Sequence, residues 1–210
     1  MKLGIVFTGE SYGQNQGVFS GRNRDWRISK DNLKETLIDS FKQEHDVKVY
    51  LTTYDNPTLQ EYLDWYQPHK YLIPDFAGSH QRTTYIKSMQ MLLDEDLDFI
   101  IAARPDLSFP QPVSSLNFDY DKINFCFREI EPHWTNDQFI GDCLFGIPKK
   151  YLQSFIEGIA EEHEKPYRWH PDLHGIYRWI APKVGTENIH FLIDGTHNSS
   201  DNSLYTLHRT

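Results

Sequence analysis

The sequence predicts an α/β fold built on a mixed, mainly parallel sheet flanked by helices. Two observations carry this. Short apolar runs rich in β-branched residues alternate with segments of helical periodicity through the first half of the chain. The links between them are short, the pattern of successive βαβ units. At 210 residues the chain can bury roughly 70% of its unfolded surface, so one domain can fold without disulfide or metal.

Leu3 to Phe7 reads as the first buried strand, closed by Thr8-Gly9. Residues 9–30 form a long polar segment with four glycines and the cations Arg22, Arg24, Arg27 and Lys30. A loop of that length in a compact domain is usually functional or mobile. Leu33, Leu37 and Phe41 recur every four residues and predict a helix over Asp31 to Glu44. Val47 to Thr53 is a second strand, Thr58 to Tyr66 a short helix and Lys70 to Ile73 a third strand. Gln81 to Leu93 is helical, with Ile86, Met89 and Leu93 on one face. Phe99 to Ala103 is a fourth strand, ended by Arg104-Pro105. In the second half, Ile123 to Phe127 and Cys143 to Ile147 read as strands and Lys149 to His163 as a helix. A helix near Leu173 to Ile180 and a last strand over Ile189 to Ile193 follow. The polar residues from Asn198 onward read as a frayed tail or linker.

Composition removes several function classes. Lys plus Arg total 21 against 30 Asp plus Glu, a formal net charge of -9. A phosphate-backbone binder is usually basic, so no nucleic-acid partner is expected. A small anion in a local basic pocket stays open. Two cysteines cannot staple a secreted scaffold, so a reducing, cytoplasmic location is expected. The apolar start is too short for a signal peptide, and no run approaches a membrane span.

Ligands of parallel sheets sit at the carboxyl ends of the strands, and four constellations compete there. The acidic triplets of Asp94 to Asp98 precede the Phe99 strand, at the other edge, and read as solvated turn residues. Asp106 follows that strand at its carboxyl end, where a carboxylate can hold a divalent cation or cap a turn. Arg104 beside it can meet a phosphate bidentately. After the last strand, Asp194 or His197 can complete a metal site if that strand lies beside the Phe99 strand. His170 and His174 are four apart, but Pro171 and Gly175 argue against a rigid helical ligand pair, so packing or surface roles are expected of them.

The loop Thr8-Gly9-Glu10-Ser11-Tyr12 is rich in backbone donors and can hug a nucleotide, although it is neither a Walker loop nor GxGxxG. Asp55, ending the second strand, can accept from a base or ribose. Arg82 and the Arg22 to Arg27 cluster can neutralise a diphosphate. Asp137 and Asp142, near aromatic rings and glycine, can each serve as a base toward a sugar hydroxyl. The cluster Pro166-Tyr167-Arg168-Trp169-His170 can line an acceptor groove or pack.

Together these residues resemble a GT-A glycosyltransferase over residues 1 to about 197. The segment Leu97-Asp98-Phe99-Ile100-Ile101-Ala102-Ala103-Arg104-Pro105-Asp106-Leu107 looks like the strand-Arg-x-Asp-Leu element that replaces Asp-x-Asp in small enzymes of this kind. Asn136-Asp137-Gln138-Phe139 before Cys143-Leu144-Phe145-Gly146 is similar to the Asp-Gln-Phe-then-Gly segment. The whole is most similar to glycosyltransferase domains encoded by large algal DNA viruses, the chloroviruses. The resemblance implies a Rossmann-like nucleotide-sugar-binding half over 1–110, an acceptor half over 111–197 and a tail or linker over 198–210. It implies a metal-dependent hexosyl- or deoxyhexosyltransferase active in glycoprotein biosynthesis, in the host cytoplasm if viral and as a free protein or one module of a longer chain. The donor would be a UDP-sugar and the acceptor a glycan or glycoprotein hydroxyl. Thr8, Gly9, Tyr12, Asp55, Arg82 and Arg104 would hold the nucleotide. Mn²⁺ or Mg²⁺ would sit on Asp106 with a late residue such as His197, and Asp142 or Asp137 would be the base of an inverting transfer. The departure is Arg104, which stands where Asp-x-Asp has its first carboxylate. Rival readings are a glycoside hydrolase with paired carboxylates, a non-catalytic glycan-binding module and a nucleotidyltransferase. The last usually carries a Gly-rich, Arg/Lys signature after its first strand, and none is visible here.

Overall fold

Alternation of apolar side chains builds a sheet buried on both faces. In the computed structural model, which describes residues 1–14, 23–75, 81–129, 139–165, 173–199 and 201–208, the chain starts with β1 (Lys2–Thr8) and a hairpin of β2 (Tyr12–Gln14) and β3 (Asn23–Asp25). A continuous helical run follows: α1 (Lys30–Asn32), a π-helical segment (Leu33–Asp39) and α2 (Ser40–Lys42). Next come β4 (Asp46–Thr52), α3 (Leu59–Tyr66), β5 (Lys70–Leu72), α4 (Gln81–Met91), β6 (Phe99–Ala103) and β7 (Leu107–Ser108). The second half holds β8 (Ile123–Phe125), β9 (Arg128–Glu129), β10 (Leu144–Pro148), α5 (Leu152–Glu164), α6 (Tyr177–Val184), β11 (Ile189–Phe191), β12 (Thr196–His197) and β13 (Thr206–Leu207).

Seven strands form one sheet in the order β11-β8-β10-β6-β1-β4-β5. Only β10 runs against its neighbours. Along β6, Phe99, Ile101 and Ala103 enter one core and Ile100 and Ala102 the other, as strand periodicity requires. The first core also takes Trp26, Leu33, Leu37, Phe41, Tyr62 and Tyr66. The second takes Tyr85 and Met89 of α4, Phe155 and Ile159 of α5, and Ile180 of α6. Helices therefore cover both faces, and the mixed, mainly parallel α/β sheet is the one expected. Among the described residues no helix is long and apolar enough to cross a membrane.

Three expectations change. The segment after Gly9 is not wholly polar: it carries the β2–β3 hairpin and Trp26, which is fully buried and donates its indole N–H to Thr58 Oγ1 at 3.1 Å. The last strand does not lie beside the Phe99 strand, since β8 and β10 stand between β11 and β6. The segment after Asn198 packs back on the domain: Leu204 and Tyr205 are buried, and β13 pairs antiparallel with β7.

Candidate functional site

The topology decides which residues can meet. Strands β1, β4, β6, β8 and β11 end at one edge, and because β10 is antiparallel its beginning lies at that same edge. Leu144 pairs with Ala103, so the preceding Asp142 and Cys143 arrive beside Arg104; the Arg104 N–H donates to the Cys143 carbonyl at 3.2 Å. The acidic run 94–98 stands at the opposite edge. There Asp98 accepts from the Lys2 N–H at 2.7 Å and Asp96 pairs with the Lys2 ammonium.

Arg104 and Asp106 form a two-pronged ion pair. Nε donates to Oδ1 at 2.8 Å and Nη2 to Oδ2 at 2.6 Å. Both residues are buried. Burial works against the guanidinium charge, but Asp106 outweighs it and holds Arg104 protonated well above its ordinary range. The Nη1 edge makes no hydrogen bond to the described residues. The turn itself is clamped: Ser29 Oγ donates to the Pro105 carbonyl at 2.6 Å and the His208 N–H to the Asp106 carbonyl at 2.9 Å. Arg24, from β3, brings Nε to 4.0 Å from Asp106 and donates Nη1 to Glu10 at 2.7 Å.

The loop after β1 lies alongside. Gly9 has φ +119°, a left-handed conformation that disfavours any side chain, and no atom lies within 4 Å of where a Cβ would project. Backbone is thus open to close approach at this point. The Thr8 hydroxyl is buried against Ser88 of α4 at 2.7 Å, so Thr8 fixes the loop. Tyr12 lies under the Arg27 guanidinium, 5.4 Å from its ring centre. Asp55 is exposed after β4, in a turn held by the Asn56 side chain.

Asp142 is buried and engaged from two sides. Gln81, the first residue of α4, donates Nε2 to Asp142 Oδ2 at 2.7 Å. His174 Nε2 lies 3.6 Å from the same oxygen. The other imidazole nitrogen, Nδ1, contacts the buried carboxylate of Glu129 and lies 2.9 Å from the Ile140 carbonyl.

Several expected site residues stand elsewhere or lie out of view. Asp137, with Trp134 and the 166–170 cluster, lies outside the described residues. Arg82 is buried in a network on Glu162, 3.5 Å away, which also takes Arg178 Nε at 3.1 Å and the Trp179 indole at 2.6 Å. Among the described residues Arg82 thus faces an acid on α5. His197 approaches the Asp194 carbonyl at 2.9 Å and meets the Phe127 ring edge-on, its strand β12 paired with β9. Sequence reasoning gives Glu129 and Gln81 no site role and expects a packing or surface role of His174. Glu129 was within reach of the strand-end rule, since it follows the strand at Ile123; Gln81 and His174 carry no local signal.

A divalent cation fits this arrangement poorly. Both Asp106 oxygens accept from Arg104, and His197 belongs to another ladder. Among the described residues no group of three or more His, Cys, Asp or Glu side chains is placed to hold a metal ion.

No protein-family model matches the chain, and no curated protein matches it. Solved structures do. A glycosyltransferase involved in the glycosylation of the major capsid of PBCV-1 superposes with a TM-score of 0.54 over 98% of this chain and 92% of its own, at 9% identity. The fold is GT-A-like. A nucleotide-diphospho-sugar transferase from Desulfovibrio desulfuricans G20 aligns with a TM-score of 0.46 at 12% identity, over 94% of this chain and 82% of its own. In the GT-A-like frame, Arg104, Asp106, Gly9, Asp55 and Asp142 share the edge where parallel strands end.

Proposed function

We propose that the chain is a glycosyltransferase that moves a sugar from a nucleotide-diphosphate donor, a UDP-sugar, to a hydroxyl of a glycan or glycoprotein. The observation that supports this most is the meeting of the Arg104–Asp106 pair and Asp142 at the carboxyl edge of a GT-A-like sheet. Residues 1–110 form the donor half and 111–197 the acceptor half. The nucleoside lies over the open backbone at Gly9, with Tyr12 and Asp55 as flanking contacts. The Nη1 edge of Arg104 and the Arg24 guanidinium face the diphosphate. Held in plane by Asp106, Arg104 is oriented before the ligand arrives, so little side-chain entropy is lost on binding. The acceptor oxygen forms a bond to the anomeric carbon as the carbon–oxygen bond to the diphosphate breaks. The electron pair leaves with the diphosphate, where the guanidinium charge stabilises it, and Asp142 takes the hydroxyl proton. Mn²⁺ or Mg²⁺, implied by the resemblance, enters no step, because Asp106 is committed to Arg104.

The test is product analysis with a panel of UDP-sugars and simple glycan acceptors. UDP release with an inverted anomeric centre, lost in Asp142→Asn, is the expected result. Retention of configuration, or an Asp142→Asn enzyme as fast as wild type, overturns the assignment of the base. Absence of any UDP release overturns the reading.

A further inference from the structure

Three separate chain segments converge on Asp142, and their backbones are stitched together. The Glu129 N–H donates to the Phe139 carbonyl at 3.0 Å, and the Ile140 N–H donates to the His174 carbonyl at 3.1 Å. The His174 ring lies 2.9 Å from the Ile140 carbonyl in return. Gly175 lets this segment press on α5: a Cβ there would stand 2.7 Å from Glu162 Oε1. The imidazole is therefore held in one place between two acids.

Its protonation follows from its neighbours. Nδ1 faces two acceptors, the Glu129 carboxylate and the Ile140 carbonyl, so it carries a hydrogen. Glu129 Oε1 accepts the Ser199 N–H at 3.0 Å. Oε2 is buried and makes no well-directed hydrogen bond, so contact with a positive ring is what compensates its charge. On the far side Nε2 faces Asp142 Oδ2 at 3.6 Å. A lone pair directed at a carboxylate would be repulsive, whereas an N–H is attractive. The Glu129 and Asp142 side chains are 1% and 6% exposed, so this charge pattern is weakly screened.

We propose that His174, held as an imidazolium by Glu129, is the positioning residue that keeps Asp142 ionised and aims its Oδ2 for proton abstraction. This rests on the reading of Asp142 as the base. Without such a cation a buried carboxylate tends to hold its proton and cannot take one from an acceptor. Gln81 fixes the geometry of the same oxygen but adds no charge. Among the described residues Arg104 also acts on Asp142, its charge favouring the ionised form, as do the Tyr85 hydroxyl and the Cys143 thiol, which burial keeps neutral and whose Sγ lies 3.5 Å from Oδ1.

The experiment is the pH profile of kcat with a UDP-sugar donor for wild type, His174→Gln and Glu129→Gln, with UDP affinity and melting temperature measured in parallel. In His174→Gln the acid limb is expected to move upward by about one pH unit, a tenfold loss of kcat below that limb. The plateau at higher pH, KM for donor and UDP affinity stay near wild type. Glu129→Gln, which weakens the imidazolium, moves the limb the same way by less. A profile superimposable on wild type overturns the inference. Nitrogen NMR of His174 in the unmodified protein guards against variants that do not fold: a doubly protonated ring at neutral pH is expected, and a neutral ring overturns it. A chain that neither binds UDP nor releases it fails at the broader reading instead, and full activity in Asp142→Asn fails at the base. Neither result resembles an unmoved pH limb in a working enzyme.

Discussion

Two buried charge clusters share one edge of the sheet, and they are built in opposite ways. Arg104–Asp106 is local: two residues apart, on one turn, closed by two hydrogen bonds. Glu129–His174–Asp142 is assembled from the end of β9, the residues before α6 and the residues before β10. The first needs one strand end to exist. The second needs the antiparallel β10, the β9–β12 ladder and the approach of Gly175 to Glu162 to be right at once. A local pair can be tuned by a neighbouring residue, whereas an assembled cluster ties chemistry to the packing of the whole second half.

The largest separation between the two clusters is expected in catalysis. Asp142→Asn should lower kcat by about 10²–10⁴-fold, the typical contribution of a positioned base, with UDP affinity unchanged; steady-state kinetics beside calorimetry checks both. Loss of stability is the next effect, and UDP affinity is what separates the Arg104 site from the network on α5. Asp106→Asn leaves the buried Arg104 without its charge partner and should cost about 3–5 kcal/mol, read by chemical denaturation. Glu162→Gln, which removes a buried ionic partner shared by Arg82 and Arg178, should cost a similar amount while sparing UDP affinity. Equal loss of UDP binding in both would make the site at Arg104 no more specific than the network on α5.

A smaller effect sharpens the account of the donor loop. Gly9→Val places a β-branched residue at φ +119°, which should cost about 1–3 kcal/mol of stability, and should weaken UDP binding further by filling the open approach.

The smallest effect sets the baseline at the opposite edge. Partial burial opposes the charge of Glu95, but hydrogen bonds from Tyr50 and Lys70 outweigh it and lower its pKa from the ordinary 4.5. Because the folded value is depressed, its stabilisation is present above the unfolded value and is lost as pH falls below 4.5 through the folded one. Glu95→Gln should therefore flatten the acid slope of stability without moving the acid limb of kcat.

Legibility in the sequence follows the same division. The strands β1, β4 and β6 were readable because continuous apolar runs mark strands buried on both faces. The position of Arg104 and Asp106 followed from the rule that such strands place their following residues at the ligand edge. The end of the chain reads as a tail because its apolar residues are few in a polar segment; Leu204 and Tyr205 find their place in the core once β13 pairs with β7. The role read for His197 depended on strand order, which periodicity does not encode. Sequence spacing relates His174 to His170, a helical neighbour in number, whereas the acids it meets lie 45 and 32 positions away at Glu129 and Asp142. No local pattern holds that information.

The most direct test of the central claim is calorimetric titration of UDP, with and without Mn²⁺, into wild type and Arg104→Lys, which keeps the charge but cannot hold the two-pronged geometry. UDP binding by wild type without metal, weakened at least tenfold in Arg104→Lys, is the expected result. UDP binding that needs Mn²⁺ and is indifferent to Arg104→Lys would contradict the Arg104–Asp106 pair as the diphosphate site, and no binding under either condition would contradict the edge as a nucleotide site.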